Sequence, residues 1–402
     1  MLRYLIFLGY DIVLIILLTV CHSNKNDTAH TSEYPITIDI DEAIRNKIEF
    51  HLSDLIDSIT YIPVESIIGD YVMYLSGNML KISQNYIISE NYLWGGDLVL
   101  FDRNGRFIRK IAQRGQGPGE YNFINDMAID ETHETVYVLS MSKLFKYNLE
   151  GKFLGVIDLS EVSGLPNLLA QKIAVSPSGQ ILVNLGNRMG DLRYRCLLLD
   201  DKGNLVNMLK NNLTHTFDPN VPLYMAPEGT YYIYNDRIHI KNICDTLFVV
   251  ENDSFQPKYV FKTGGKNQSN HITHTEYVEK IQQFAFGTIF ETDSKVFFQF
   301  RLNEKIYNAC YDKKERKAYS NSLKDVNEFF NDMDVVKYFT FGFSDYQFND
   351  IIIQMRTFEF IDRTVLKANL SPPRYLEVTH MLDSLQSVDE SPVVLSIFHL
   401  KK

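Results

Sequence analysis

The sequence is poor in cysteine. Its 402 residues include only Cys21, Cys196, Cys244 and Cys310, and no two of them form a Cys-x-x-Cys pair. This spacing excludes zinc ribbons and thioredoxin-type redox motifs. The last three lie in or beside strand-like runs, which favours free cysteines that pack as small apolar residues. A disulfide between two of them in an oxidising compartment stays open, since spacing does not fix a pairing.

The sequence also lacks an excess of basic charge. It has 40 lysines and arginines against 50 aspartates and glutamates, a formal net charge of −10. Proteins that bind nucleic acid contact phosphates through clustered lysine and arginine. No basic stripe with interleaved aromatic residues occurs, so we expect no nucleic-acid partner.

Tryptophan and the common catalytic motifs are nearly absent. The only tryptophan is Trp94, which excludes WD40 and quinoprotein propellers and sialidase-type Asp boxes, because these need a tryptophan in each blade or box. There is no Gly-x-Ser-x-Gly, no His-Glu-x-x-His and no EF-hand loop. We therefore predict no metal site and no cofactor, and expect binding rather than catalysis.

The N-terminal apolar run is too short to span a bilayer. Residues 1–20 carry Arg3 and then mostly apolar residues, without interruption from Ile12 to Val20, as is typical of a signal peptide. The tetrapeptide LTVC, which ends at Cys21, resembles a bacterial lipobox. We predict a signal peptide over 1–20, then a lipidated Cys21 and flexible tether over 21–34, so that a membrane is one partner. Ordinary cleaved secretion and a retained anchor are the alternatives.

Residues that favour strands are abundant. The chain is 45% apolar and contains 24 tyrosines and 26 phenylalanines. Tyrosine, phenylalanine, isoleucine and valine suit half-buried strands. An all-β unit of this size can form a single domain, and we assign residues 35–402 to it.

A four-stranded unit recurs between residues 78 and 210. Its clearest marker is a turn in which an apolar run meets Asp or Asn and then a glycine. The marker glycines Gly105, Gly151 and Gly203 are 46 and 52 residues apart, about one propeller blade each. Weaker copies, at 245–261, 288–319 and from 338–355, raise the number of units to six.

The ends of the chain complement each other. The last strand, at 392–401, needs an outer neighbour, which SITYIPVE at 58–65 can supply. We predict an all-β, six-bladed β-propeller of four-stranded antiparallel blades, in which this N-terminal strand closes the ring and removes an open edge. Short helical insertions are predicted in the second half, at 274–284, 322–331 and 374–387.

The segment IAQRGQGPGEYNFINDMAID, with YIPVE and FDRNGRFIRKI before it, resembles the six-bladed β-propeller lipoproteins of Gram-negative bacteria, which are relatives of the NHL and TolB-like propellers. The resemblance covers about residues 50–401. It implies a six-bladed propeller that is exported and lipid-anchored in the cell envelope, as an outer-membrane lipoprotein. It implies no established activity.

Strand direction predicts where a binding surface lies. Because strands alternate, the blade-to-blade connections and the middle loop of each blade share one face, opposite the glycine-marked turns. Aromatic side chains beside arginines and acids on that face suit a ligand. The predicted ligand-binding residues are Tyr92, Trp94, Arg114, Gln116, Glu120, Tyr121, Arg188, Asp191, Arg193 and Tyr194. A tight structural connection over 115–121 and a packed Trp94 are the alternatives.

Together these patterns predict an exported, lipid-anchored binding or interaction module for a glycan, peptide or envelope protein. A metal-dependent hydrolase or lyase with its site in the propeller channel is the alternative. Its Glu, Asp and Asn ligands would be scattered around the channel and would form no local motif.

Overall fold

The computed structural model describes residues 35–402 apart from 66, 69–70, 73–74, 92–95, 167, 188, 222–228, 243, 265–270, 322–328, 331–332, 334–337, 340–345, 358–362 and 387–392. Strands dominate, in several four-stranded antiparallel sheets of a propeller-like all-β fold. The predicted signal peptide, Cys21, its tether and three of the predicted site residues (Tyr92, Trp94 and Arg188) lie outside the described residues.

Short elements precede the repeat. They are β1 (Ile36–Asp39), α1 (Ile40–Arg45), β2 (Lys47–Ile48), a 3₁₀ helix (Leu52–Asp54), β3 (Ile56–Pro63), β4 (Ile67–Ile68) and β5 (Tyr71–Val72). Helix α1 begins where the Asp39 carboxylate accepts a hydrogen bond from the Glu42 backbone N–H at 3.0 Å. This cap satisfies one of the N–H groups that the first helical turn leaves without a partner.

Three consecutive four-stranded sheets confirm the strongest copies of the repeat. Their elements are β6 (Leu75–Ile82), β7 (Tyr86–Asn91), β8 (Asp97–Asp102), β9 (Phe107–Ala112), β10 (Asp126–Asp130), β11 (Thr135–Ser140), β12 (Lys143–Asn148), β13 (Phe153–Asp158), α2 (Leu159–Ser163), β14 (Ala170–Val175), β15 (Ile181–Leu185), β16 (Tyr194–Leu199) and β17 (Leu205–Lys210). The marker turns connect the third and fourth strands. Position 105 requires glycine for two reasons. Its φ of 80° is left-handed, and a Cβ there would lie 2.2 Å from the Pro63 carbonyl oxygen.

The second half is less regular. Its elements are β18 (Thr214–Thr216), β19 (Gly229–Tyr234), β20 (Arg237–Asn242), β21 (Thr246–Glu251), β22 (Ser254–Lys262), β23 (His271–Thr273), α3 (His274–Gln283), β24 (Phe284–Glu291), β25 (Lys295–Leu302), β26 (Lys305–Asp312), β27 (Lys317–Asn321), β28 (Phe329–Phe330), β29 (Tyr338–Phe339), β30 (Tyr346–Phe348), β31 (Ile351–Thr357), α4 (Arg363–Asn369), α5 (Pro372–Gln386) and β32 (Val393–Leu400). Strands β19–β22 and β24–β27 form two further antiparallel sets, as the weaker copies predict.

The first and last parts of the chain meet in one sheet. Strand β32 pairs antiparallel with β31 on one side and with β3 on the other, where Ile62 lies opposite Leu395. The predicted pairing of the N-terminal segment 58–65 with the C-terminal strand is therefore confirmed. Two further N-terminal strands were not predicted: β1 pairs parallel with β22, and β2 pairs parallel with β27. Both cover the outer edge of a sheet.

The predicted helical insertions have mixed outcomes. Helices α3 and α5 confirm the first and third, and α3 starts with a capping box between Thr273 and Glu276. The second prediction is wrong at Phe329–Phe330, which pair as β28 with Tyr338–Phe339; residues 322–328 lie outside the described residues. The sixth copy therefore starts at Tyr346 rather than at 338, since tertiary pairing of aromatic residues overrides the local helix pattern.

The first strands of the sheets lie side by side. Strand β6 contacts β10, β10 contacts β14, β14 contacts β19, and β30 contacts β6. Strand β19 also contacts β24 and pairs parallel with β30. Apolar side chains fill the space between sheets; Ala174 and Leu198, for example, share one core cluster with Ile233 and Ile240. No disulfide joins the described cysteines Cys196, Cys244 and Cys310; the first and last are buried and Cys244 is half-buried. No helix in the part of the chain that the structure describes is long and apolar enough to cross a membrane.

Candidate functional site

The connection between β9 and β10 is held in shape by its own Glu120. The Glu120 carboxylate accepts hydrogen bonds from Gln113 Nε2 at 2.7 Å and from the Gly117 backbone N–H at 2.8 Å. These bonds lower the pKa of Glu120 below its ordinary value, and the bond from Gln113 has the larger effect. The carboxylate lies so close that a Cβ on Gly115 would be 1.9 Å from Glu120 Oε2. Glu120 therefore fixes the loop and needs the glycine beside it.

Tyr121 anchors the same loop to the core. Its side chain is buried, its hydroxyl donates to the Gly96 carbonyl at 2.6 Å, and its ring packs edge-on against Phe145. The ring therefore contributes to the core between the first two sheets and is not presented to a ligand. The hydrogen bond to Gly96 ties the connection to the loop between β7 and β8.

Arg114 and Gln116 are exposed, as are the neighbouring Gln113, Pro118, Asn122 and Phe123. Arg114 lies close enough to the half-buried Glu90 to act on it electrostatically: burial raises the pKa of Glu90, and the Arg114 charge opposes that rise. A Cβ on Gly96 would lie 3.0 Å from Glu90 Oε1. Glu90 thus lies close to both Gly96 and Arg114.

The other described residues of the prediction lie in the loop before β16 and at its first residue, Tyr194. Asp191 and Arg193 are exposed and Tyr194 is half-buried. Asn187 and Asn211 fix the loop backbone, since Asn187 Oδ1 accepts from the Leu192 N–H at 2.9 Å and Asn211 Nδ2 donates to the Leu192 carbonyl at 2.7 Å. Among the described residues, no hydrogen bond or ion pair joins this loop to Arg114. A shared binding surface therefore stays a prediction from strand direction.

Sequence analysis missed a group of polar side chains on the first strands of the sheets. Its members, here called the first-strand cluster, are Lys81 on β6, Asp126 on β10, Lys172 on β14, Tyr231 on β19 and Tyr346 on β30. In β6, β10 and β14 the charged member stands in a strand with several apolar residues. A charged residue inside an apolar strand, recurring from one copy to the next, is the signal that would have found them.

Asp126 is the centre of the first-strand cluster. Lys81 Nζ lies 3.0 Å from Asp126 Oδ1, and the Tyr231 hydroxyl donates to Asp126 Oδ2 at 2.9 Å. The Ile173 backbone N–H donates to the same Oδ2 at 3.0 Å. Lys81 Nζ also donates to the Tyr231 hydroxyl at 2.7 Å. Burial and the Asp126 charge raise the pKa of Tyr231 well above its ordinary value, so its hydroxyl stays a donor.

A second missed cluster is buried between the β19–β22 and β24–β27 sheets, around Glu291. This carboxylate is 1% exposed and pairs with Lys258 Nζ at 2.9 Å and Lys313 Nζ at 2.8 Å. The hydroxyls of Tyr232 and Tyr259 donate to it at 2.8 and 2.7 Å. Burial opposes ionisation, but the two ammonium groups lower the pKa of Glu291 far below its ordinary value. The cluster cross-links the two sheets.

His239 completes the Glu291 cluster as a neutral side chain. Burial and the neighbouring Lys258 lower its pKa to about 3. Lys258 Nζ donates to His239 Nε2 at 2.9 Å, and His239 Nδ1 lies 3.1 Å from the Arg237 carbonyl oxygen. Only a ring that is protonated at Nδ1 and bare at Nε2 satisfies both contacts. The ring stacks on Tyr232, with 4.7 Å between centroids.

A metal-dependent hydrolase or lyase would need several ligands that converge on one point. Among the described residues there is no group of three or more His, Cys, Asp or Glu that could hold a metal ion. In the first-strand cluster, Asp126 stands against the two ammonium groups of Lys81 and Lys172, which would repel a divalent cation.

Comparisons with known proteins extend these observations. The family model DUF4934, described as a domain of unknown function, matches residues 35–395. No curated protein matches the sequence. A protein of Bacteroides fragilis that is named an exported protein has a similar structure, with a TM-score of 0.59 and 16% identity over 91% of this chain and 99% of that chain. A member of the DUF4221 family from Bacteroides vulgatus has a TM-score of 0.50 and 12% identity over 87% and 98% of the two chains. At these identities the likeness concerns the fold alone.

Proposed function

The chain belongs to the DUF4934 family, and we propose that it is an exported, lipid-anchored β-propeller that binds a glycan, peptide or protein partner without catalysis. The observation that carries this proposal is the connection between β9 and β10. Its backbone is fixed by Glu120 and Tyr121, while Arg114 and Gln116 remain exposed. A loop that is already ordered loses little conformational entropy when it binds.

The side chains on this loop suit a polar partner. The Arg114 guanidinium can donate paired hydrogen bonds to a carboxylate, a sugar oxygen or a peptide carbonyl. Glu90, close by, supplies acceptor oxygens. A surface that carries both charges favours a hydroxyl-rich glycan or a polar peptide over an apolar ligand.

We further propose six blades in a closed ring. Three separate four-stranded sheets, the strands β24–β27, and the two halves of a nine-stranded sheet (β19–β22, and β30–β32 with β3) support the blade count. The contacts of β6 with both β10 and β30 support the closure. A closed ring has no free sheet edge between its first and last blades.

Binding through this face predicts a specific loss in the Arg114→Ala variant. Ligands of the purified full-length protein would be identified on a glycan array and a peptide array, and their affinities measured by calorimetry. We expect Arg114→Ala to weaken binding about tenfold or more, because a hydrogen bond to a charged group contributes about 1.5–3 kcal/mol. Arg109→Ala, at an exposed arginine on β9 of the same sheet, is the matched control. Equal affinities of the two variants would place the binding surface elsewhere.

Export and anchoring predict a separate loss in the Cys21→Ala variant. The motivating features are the apolar segment 1–20 and the LTVC sequence that ends at Cys21. We expect the wild-type protein to incorporate a labelled fatty acid and to sediment with membranes. Cys21→Ala should lose the label, since no thiol remains at the end of the LTVC sequence to accept the lipid. Cys244→Ala, which changes a half-buried cysteine of the fold, should keep it. Labelling of the Cys21→Ala protein would contradict the anchor.

A further inference from the structure

Two donors of the first-strand cluster have no acceptor among the described residues. The Lys172 ammonium group makes no hydrogen bond there; its contact is with the Tyr231 ring, whose centre lies 5.9 Å from Nζ. The Tyr346 hydroxyl likewise has no hydrogen-bond partner within the described part of the chain, although its ring lies 6.0 Å from that of Tyr231. Lys172 Nζ and the Tyr346 ring therefore both lie beside the Tyr231 ring.

The acceptors of the cluster are already used. The Asp126 carboxylate receives Lys81, Tyr231 and the Ile173 N–H, as described above, so it has little capacity left for Lys172. Lys172 is only partly exposed to solvent. A polar group that loses contact with water and gains no partner costs free energy.

The charges of the cluster do not balance. Two ammonium groups, those of Lys81 and Lys172, stand against the single carboxylate of Asp126, and the tyrosines stay neutral. Burial lowers the pKa of Lys172, with the Lys81 charge acting in the same direction and the Asp126 charge opposing. The cluster thus offers one surplus positive charge and two unused donors.

We propose that the first-strand cluster is a binding site for an oxyanion group, a carboxylate, sulfate or phosphate, held by Lys172 and Tyr346. Such a group supplies what the cluster lacks, a negative charge with several acceptor oxygens. Lys81 also lies near Tyr346, with Nζ 4.9 Å from the centre of the Tyr346 ring. Its charge would attract the anion while its ion pair with Asp126 is kept. This site is separate from the Arg114 loop and does not depend on it.

The test is a titration of the purified full-length protein with sodium sulfate, sodium phosphate or sodium acetate, each against sodium chloride at equal ionic strength. Thermal unfolding and calorimetry would follow binding. We expect at least one of the three oxyanions to stabilise the wild-type protein selectively. Because Lys172 supplies a charged hydrogen bond, Lys172→Met should weaken binding by about tenfold or more, and Tyr346→Phe should weaken it less. A selective response to acetate would indicate a carboxylate site, and a selective response to sulfate or phosphate would indicate a site for tetrahedral oxyanions.

Matched variants separate this site from general salt effects, since sulfate and phosphate stabilise many proteins by exclusion. Lys202→Met, at an exposed lysine in the turn before β17, should respond as the wild type does. Without added anion, Lys172→Met should unfold at the wild-type temperature or above, since it removes a partly buried charge with no acceptor. Asp126→Asn should bind the anion more tightly, because it removes a nearby negative charge. An equal response to chloride and oxyanions in the wild type, or an undiminished response in Lys172→Met, would overturn the proposal.

Discussion

Replacing Glu291 by glutamine is expected to lower the free energy of unfolding by about 3–5 kcal/mol, the loss typical of a broken buried ion pair. Glutamine has nearly the same shape but no charge, so the ammonium groups of Lys258 and Lys313 would stay between the sheets without a counter-charge. Urea unfolding followed by circular dichroism measures the loss. The effect should appear as a lower midpoint with little change in slope.

The matched control is Glu304→Gln, at an exposed turn of the same sheet, where a change within about 0.5 kcal/mol is expected. Adding Lys258→Met to Glu291→Gln should recover part of the loss. The Lys258 side chain is 9% exposed against 22% for Lys313, so it is the charge that reaches solvent less easily. A loss below about 1 kcal/mol for Glu291→Gln would mean that the cluster does not hold the two sheets together.

The repeat was predictable because its signal is local. Gly105, Gly151 and Gly203 stand at the turn position that needs a left-handed backbone, and each adopts a φ between 80° and 89°. The apolar runs on either side fix the strands, so three sheets follow from short windows of sequence. The pairing of β3 with β32 was predictable for a different reason: the last strand of a repeat needs a neighbour, and one unused strand was available.

The remaining strands carry no such signal. Strands β1 and β2 have four and two residues, and each is defined by a distant partner, β22 and β27. At Phe329–Phe330 the helix-like pattern was overridden by pairing with β29. Short segments of this kind take their structure from contacts with residues far away in the sequence, which a local pattern does not contain.

The candidate site, like the fold, was predictable from the sequence only in part. Strand direction predicted which loops lie on one face, but not that Tyr121 points into the core while Arg114, seven residues earlier, stays in solvent. The first-strand cluster was missed because Lys81, Asp126 and Lys172 are about one repeat apart. Each looks like an isolated charge in an apolar strand until the three strands are placed side by side. Tyr231 and Tyr346 resemble ordinary core aromatics until Asp126 is placed next to them.

Acidification is expected to destabilise the protein through the Glu291 cluster. The pKa of His239 is about 3 in the folded protein, against 6.5 for an ordinary histidine. Between these values the unfolded chain binds a proton that the folded protein does not, so this side chain contributes a loss of about 1.4 kcal/mol per pH unit as the pH falls below 6.5. Below the ordinary value of 4.5, Glu291 adds to the loss, because its lowered pKa keeps it ionised only in the folded protein.

The variant His239→Gln isolates the histidine part of this dependence. A glutamine carbonyl can accept from Lys258 and its amide can donate to the Arg237 carbonyl, but it does not titrate. Between pH 6.5 and 5, the slope of unfolding free energy against pH should therefore be smaller than in the wild type by nearly one proton. His380→Gln, at an exposed position of α5, should leave that slope close to the wild-type value. If His239→Gln kept the full slope, His239 would have to be protonated in the folded protein. Lys258 would then donate to Glu291 alone.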